Sequence, residues 1–110
     1  MPGPGAGRDT EEFDLITSKQ RAKLRGYANG LDSIFQVGKG GLGEELVEQV
    51  KDALKARELV KLHVLETAPD FVRETAQQLA QAAGADVVQV IGSRFVLFKR
   101  NHKKPIYDLK

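Results

Sequence analysis

The stretch Gly38-Lys39-Gly40-Gly41-Leu42-Gly43 constrains the fold of this chain more than any other. It follows an apolar run, Ser33 to Val37, and precedes a helical pattern that starts at Glu44. Glycine admits positive φ and lets the main chain approach a ligand, and a helix contributes its positive N-terminal end. A strand-to-helix turn of this composition therefore suits a phosphate. Two templates overlap here. Gly38 to Gly41 reads as G-x-x-G, as in loops that clamp a nucleic-acid backbone, while Gly38, Gly40 and Gly43 read as G-x-G-x-x-G, the dinucleotide fingerprint. A flexible connection with no ligand is equally compatible with these residues.

With 110 residues there is room for one core but not for the second half that completes a dinucleotide site. Lys and Arg total 17 against 15 Asp and Glu, a net charge of only +2, so any affinity for nucleic acid must come from how the charges are placed. Cysteine is absent, which excludes disulfides and thiolate metal sites. No apolar run reaches membrane-spanning length and no charged-then-apolar leader opens the chain, so the expectation is a cytoplasmic protein without a membrane partner. Residues 1–12 are rich in Gly, Pro and charge and read as a disordered tail, 13–104 as the domain, and 105–110 as a loosely held C-terminal tail.

Along the chain, Thr17-Ser18-Lys19-Gln20 has the form of a capping box and predicts a helix to about Ala28. Lys19 and Lys23 share one stripe of it and Arg21 and Arg25 an adjacent one, without acidic partners at helical spacing. Asn29-Gly30 is expected to end the helix with a left-handed glycine. Ser33 to Val37 is a strand, and Glu44 to Arg57 is an amphipathic helix burying Leu46, Val47, Val50, Ala53 and Leu54. Leu59 to Glu66 alternates, with Val60, Leu62 and Val64 inward and Lys61 and His63 outward. His63 has no partner at metal spacing and reads as an exposed strand residue. A third helix is expected to open at Thr67-Ala68-Pro69-Asp70 and close at Gly84. Asp86 to Ile91 and Arg94 to Arg100 form a hairpin about Gly92-Ser93, and Lys99, Arg100, Lys103 and Lys104 continue the last strand.

The order α-β-α-β-α-β-β describes a single two-layer α/β domain with a four-stranded mixed sheet: strand-helix-strand units favour parallel neighbours and the hairpin adds an antiparallel pair. The pattern leaves the strand order open.

From Leu15 to about Arg100 the chain resembles the YhbY-like proteins, the CRM (chloroplast RNA splicing and ribosome maturation) domain family. The resemblance rests on the basic opening helix with Lys19, Gln20, Arg21 and Leu24, on Gly38-Lys39-Gly40-Gly41 before an amphipathic helix, and on Gln89-Val90-Ile91-Gly92 leading into Val96-Leu97-Phe98-Lys99-Arg100. It implies a fold similar to the C-terminal domain of bacterial translation initiation factor three, and an RNA-binding role. Single-domain members are associated with the precursor of the large ribosomal subunit, and plant organelle members with group II intron splicing.

These readings converge on a monomer that binds RNA, in the first instance ribosomal RNA of a large-subunit precursor. The expected contacts are the loop Gly38, Lys39, Gly40 and Gly41, the helix residues Lys19, Arg21, Lys23 and Arg25, and the strand-end residues Lys99 and Arg100, with neither metal nor cofactor. Aromatic residues make up only 6% of the chain and show no paired stacking strand, so recognition of RNA shape and backbone is expected in preference to base reading. Two alternatives remain open. One is a protein-interaction domain using the exposed sheet face. The other is a nucleotide-dependent enzyme using G-x-G-x-x-G with Glu66 as a ribose acid; against it, Glu44 and Glu45 oppose a pyrophosphate at the helix end, and no catalytic set accompanies the motif.

Overall fold

The computed structural model describes residues 17–100 and Tyr107. The fold is governed by its last strand. Phe95-Val96-Leu97-Phe98 is a continuous apolar run, and such runs mark a strand covered on both faces. All four residues are buried, with Phe95 and Leu97 in one hydrophobic cluster and Val96 and Phe98 in another. The elements in chain order are α1 (Ser18–Ala28), β1 (Phe35–Val37), α2 (Glu44–Arg57), β2 (Leu59–Val64), α3 (Val72–Ala83), β3 (Asp86–Ile91) and β4 (Arg94–Phe98). The sheet order is β1-β2-β4-β3, so β4 lies between β2 and β3. β1 runs parallel to β2, and β4 runs antiparallel to both of its neighbours. The α/β class, the element order and the mixed sheet are therefore as expected.

The larger cluster joins α2 and α3 to one face of the sheet: Val50 and Leu54 from α2 and Ala76, Leu79, Ala80 and Ala83 from α3 meet Val37, Val60, Leu62, Val64, Phe95 and Leu97. The opposite face is not bare. Leu24 and Ala28 of α1 are buried there against Leu59, Val88, Val96 and Phe98, so α1 adds a partial layer behind the two expected ones. Lys61 points toward this side and is half-buried; its Nζ donates to the Leu31 carbonyl at 3.0 Å, fixing the connection between α1 and β1.

Local chemistry explains where the elements start and stop. The Gln20 N–H donates to Thr17 Oγ1 at 3.1 Å and the Thr17 N–H to Gln20 Oε1 at 3.0 Å, completing the capping box. The far end of α1 departs from expectation, because Gly30 is not left-handed. Asn29 stays in the right-handed region, and the Gly30 and Leu31 amides donate to the Tyr27 and Ala28 carbonyls, tightening the last turn instead. The opening of α3 also moves, from Thr67 to Val72. The Ala68 N–H closes a turn on the Leu65 carbonyl, and the residue before a proline resists helical ψ, so Pro69 belongs to the loop and Phe71 becomes the N-cap. Gly84 ends α3 at φ 69°, as its sequence position suggests. β2 stops at Val64 and β4 at Phe98, shorter than the sequence patterns indicate.

The expected C-terminal tail has one fixed point among the described residues. Tyr107 packs against the α1 cluster, its ring 4.9 Å from that of Tyr27, and its N–H donates to Glu58 Oε1 at 3.1 Å. Glu58 is fully buried, and it is the one non-glycine residue with positive φ, 63°, among those described. A non-glycine residue held there costs of order 1–3 kcal/mol, and persists only where its surroundings hold it. A chain ending at residue 106 should still unfold cooperatively, at a loss of about 1–2 kcal/mol, as the ring contact and one hydrogen bond to a buried carboxylate disappear. Thr17→Ala should cost about 1 kcal/mol through the lost cap. Urea denaturation of both variants checks these values.

Candidate nucleic-acid interface

At about 100° per residue around α1, Arg21 and Arg25 lie on one side of the buried Leu24–Ala28 stripe and Lys23 on the other, while Lys19 shares the outermost face with Gly26 and Ala22. The solvent side of the helix therefore carries cations on both its flanks and its outer face. Lys19, Lys23 and Arg25 are exposed; Arg21, nearest the buried stripe, is half-buried with a sequestered Nε that has no hydrogen-bond partner among the described residues.

The glycine loop lies at the end of the sheet where β1 and β2 finish. The Gly41 N–H donates to the Gly38 carbonyl at 2.9 Å, which closes a tight turn with Lys39 and Gly40 at its centre. That bond occupies the Gly41 donor, leaving the central pair to present its N–H groups outward. Gly41 has φ 65°, and a Cβ there would lie 3.1 Å from Pro69 Cγ in the loop after β2. Gly40 and Gly43 show neither constraint. Only Gly41, which belongs to G-x-x-G and not to G-x-G-x-x-G, is required to be glycine by backbone conformation and by close approach. Lys39 is exposed beside it. Glu44 and Glu45 occupy the first turn of α2, so the helix end itself repels an anion and any phosphate must sit on the turn.

Lys99 and Arg100 lie at the other end of the sheet. The Lys99 N–H donates to the Glu58 carbonyl, where β2 begins, and its Nζ reaches the Ala83 carbonyl at 3.4 Å, at the negative end of α3. The length of β2 separates this pair from the glycine loop, on the order of 17 Å at a strand's rise per residue. The sequence-derived residues thus fall into two groups: α1 with the strand-end cations toward one end, and the glycine loop at the other.

The surface between them carries residues that sequence reasoning did not select. Gln36, His63, Arg94 and Ile91 are mutually paired across the four strands and project to the same face as α1, near the glycine-loop end. Gln36 and Arg94 are exposed and His63 is half-buried. The row carries one cation, Arg94, beside the polar Gln36 and His63, ends in the exposed apolar Ile91, and lies between α1 and the sheet end that leads into the glycine turn. Its sequence signal was the Lys61-x-His63 alternation together with the cation that opens β4. Among the described residues there is no cluster of acidic, His or Cys side chains suited to a metal ion, and no helix long and apolar enough to cross a membrane.

Comparison with known proteins finds relatives that cover most of the chain. A probable RNA-binding protein of Bacillus subtilis, YqeI, is 37% identical over 95 residues, covering 86% of this chain and 99% of its own. A probable RNA-binding protein of Methanocaldococcus jannaschii is 36% identical over 91 residues, covering 81% of this chain and 67% of its own. A Staphylococcus aureus protein solved in solution, described as a hypothetical protein and candidate RNA binder, superposes with a TM-score of 0.68 at 43% identity, over 78% of this chain and 90% of its own. Residues 16–99 match the CRS1 / YhbY (CRM) domain, the span that holds α1, the glycine turn and the full sheet, and the chain belongs to that family.

Proposed function

We propose that this protein binds structured RNA, with the RNA backbone running along the basic flanks of α1, across the Gln36–His63–Arg94 row and onto the Gly38–Gly41 turn. The observation that carries this reading is that α1 and the row share the face of the sheet opposite α2 and α3, and that the row lies at the sheet end where β1 runs into the turn. Relatives named as RNA-binding proteins support it. Arg100 extends the contact beyond α1, Lys99 lies at the edge of that path with its Nζ turned to the Ala83 carbonyl on the α3 side, and Lys39 adds a cation at the turn. The role we assign is assembly of the large ribosomal subunit in the cytoplasm, with the monomer engaging ribosomal RNA of the precursor; the family resemblance favours that RNA over others.

The two rival readings lose ground on specific observations. A nucleotide enzyme needs G-x-G-x-x-G, yet the conformationally demanding glycine is Gly41, outside that pattern. A protein-interaction domain using the open sheet face has less face to use, since α1 covers part of it.

Binding of a large-subunit ribosomal RNA fragment, titrated at several salt concentrations, should weaken steeply as salt rises, because each phosphate contact releases counterions. A flat response would remove the electrostatic mechanism. The turn is tested separately. Lys39→Ala and Gly40→Ala should leave stability within about 0.5 kcal/mol, and Lys39→Ala should lower the salt slope by about 1. Gly41→Ala should cost about 1–2 kcal/mol from the left-handed conformation alone, with the Pro69 contact adding to it. Gly41→Asp should bind RNA far more weakly than Gly41→Ala, isolating the carboxylate's repulsion of phosphate. Equal affinity of the two folded variants would mean that the turn only connects strand to helix.

A further inference from the structure

Phe71 is 82% exposed, the most exposed of the large hydrophobic residues described. Its backbone is nevertheless held firmly, because its carbonyl accepts from both the N–H and the Oγ1 of Thr75, each at 3.0 Å. An aromatic ring kept in water on a pinned backbone is a ready contact surface. Beside it lies a cleft of about 320 Å³ between the loop after β2 and the β3–β4 turn. The apolar lining comes from Val64, Leu65, Pro69 and Phe71, and Glu66 and Asp70 add carboxylates. Pro69 connects this cleft to the glycine turn, being the residue that a Cβ on Gly41 would strike.

From this juxtaposition we infer that the cleft takes one unpaired nucleobase of the bound RNA, stacked on Phe71 and read by Glu66 and Asp70, with guanine preferred. The inference rests on the RNA-binding reading and deepens it. Charge complementarity fixes which part of a nucleotide enters: two carboxylates repel the phosphate and accept from base N–H groups, so the base faces the cleft while the backbone stays on the turn. Guanine presents adjacent N1–H and N2–H donors on its Watson–Crick edge, matching the two oxygens of a carboxylate. Uracil offers a single donor flanked by two carbonyl oxygens, which the same carboxylates repel. A planar base between an aromatic face and an apolar wall is the usual way proteins hold unpaired RNA. A cleft of this size has room for one base.

The test uses the full chain and a set of RNA hairpins that differ only in a single-nucleotide bulge, G, A, C or U. Wild type should prefer the G bulge to the U bulge. Phe71→Ala, whose fold is checked by circular dichroism, should lose on the order of 5- to 100-fold affinity for the G-bulged hairpin, the range expected for one stacked base, and Phe71→Tyr should retain it. Glu66→Gln and Asp70→Asn should reduce the preference for G over U without weakening the U-bulged complex. Unchanged affinity of Phe71→Ala, in a protein whose RNA binding is otherwise salt-dependent, overturns the base pocket and leaves the proposed function standing; the cleft would then fit an apolar side chain of a protein partner. Absence of RNA binding by wild type overturns both.

Discussion

Insertion of β4 between β2 and β3 is the constraint on which the rest of the structure depends. A hairpin alone would place β4 beside β3 at an edge; burial of Phe95 and Leu97 on one face and Val96 and Phe98 on the other makes the central position the one that removes most apolar surface from water. Fully burying a side chain of this size is worth about 1.5–3 kcal/mol. With β4 central, β3 runs parallel to β2 one place beyond it, and α3 must cross over the same face as α2. The other face is then left to α1, and the basic helix is held on the side where the Gln36–His63–Arg94 row remains open.

Electrostatics narrows what that surface can do. The net charge is nearly balanced, but the signs are segregated. α1 carries Lys19, Arg21, Lys23 and Arg25 with no acid in its first turn, whereas the glycine-turn end carries Glu44, Glu45, Glu66, Asp70 and Glu74 beside Lys39, Arg73 and Arg94. On the proposed function, an RNA backbone would be drawn along α1 and would reach the turn from the sheet side, where Arg94 lies, because Glu44 and Glu45 in the first turn of α2 disfavour the approach over that helix. The same carboxylates that repel phosphate are free to meet base edges. Under the two proposals taken together, one end of the sheet would supply general affinity and the other would discriminate.

Much of this was legible in the residues. The capping box at Thr17, the stripe of α2, the left-handed Gly84 and the two-residue turn at Gly92-Ser93 are local devices, and local chemistry decides them. The departures at the helix ends turn on backbone detail that a motif does not carry. The last turn of α1 tightens through the Gly30 and Leu31 amides onto the Tyr27 and Ala28 carbonyls, and α3 opens late because the Leu65–Ala68 turn and Pro69 keep residues 67–70 out of the helix. Strand order follows from packing on both faces of β4, which no single segment encodes, although the unbroken apolar run from Phe95 to Phe98 hinted at it. Tyr107 looked like part of a tail because its partners, Tyr27 and Glu58, lie far away in sequence. The same distance split the basic residues between two ends of the sheet, a separation that a list of cations cannot express.

Amide chemical-shift mapping tests the shared surface most directly. A titration of uniformly labelled protein with a structured ribosomal RNA fragment should perturb α1 residues Lys19 to Arg25, the row residues Gln36, His63 and Arg94, and the turn from Gly38 to Gly41 at the same RNA concentration, while the solvent faces of α2 and α3 stay unmoved. Perturbations centred on Glu48, Gln77 and Gln81, with α1 and the glycine turn silent, would contradict the account.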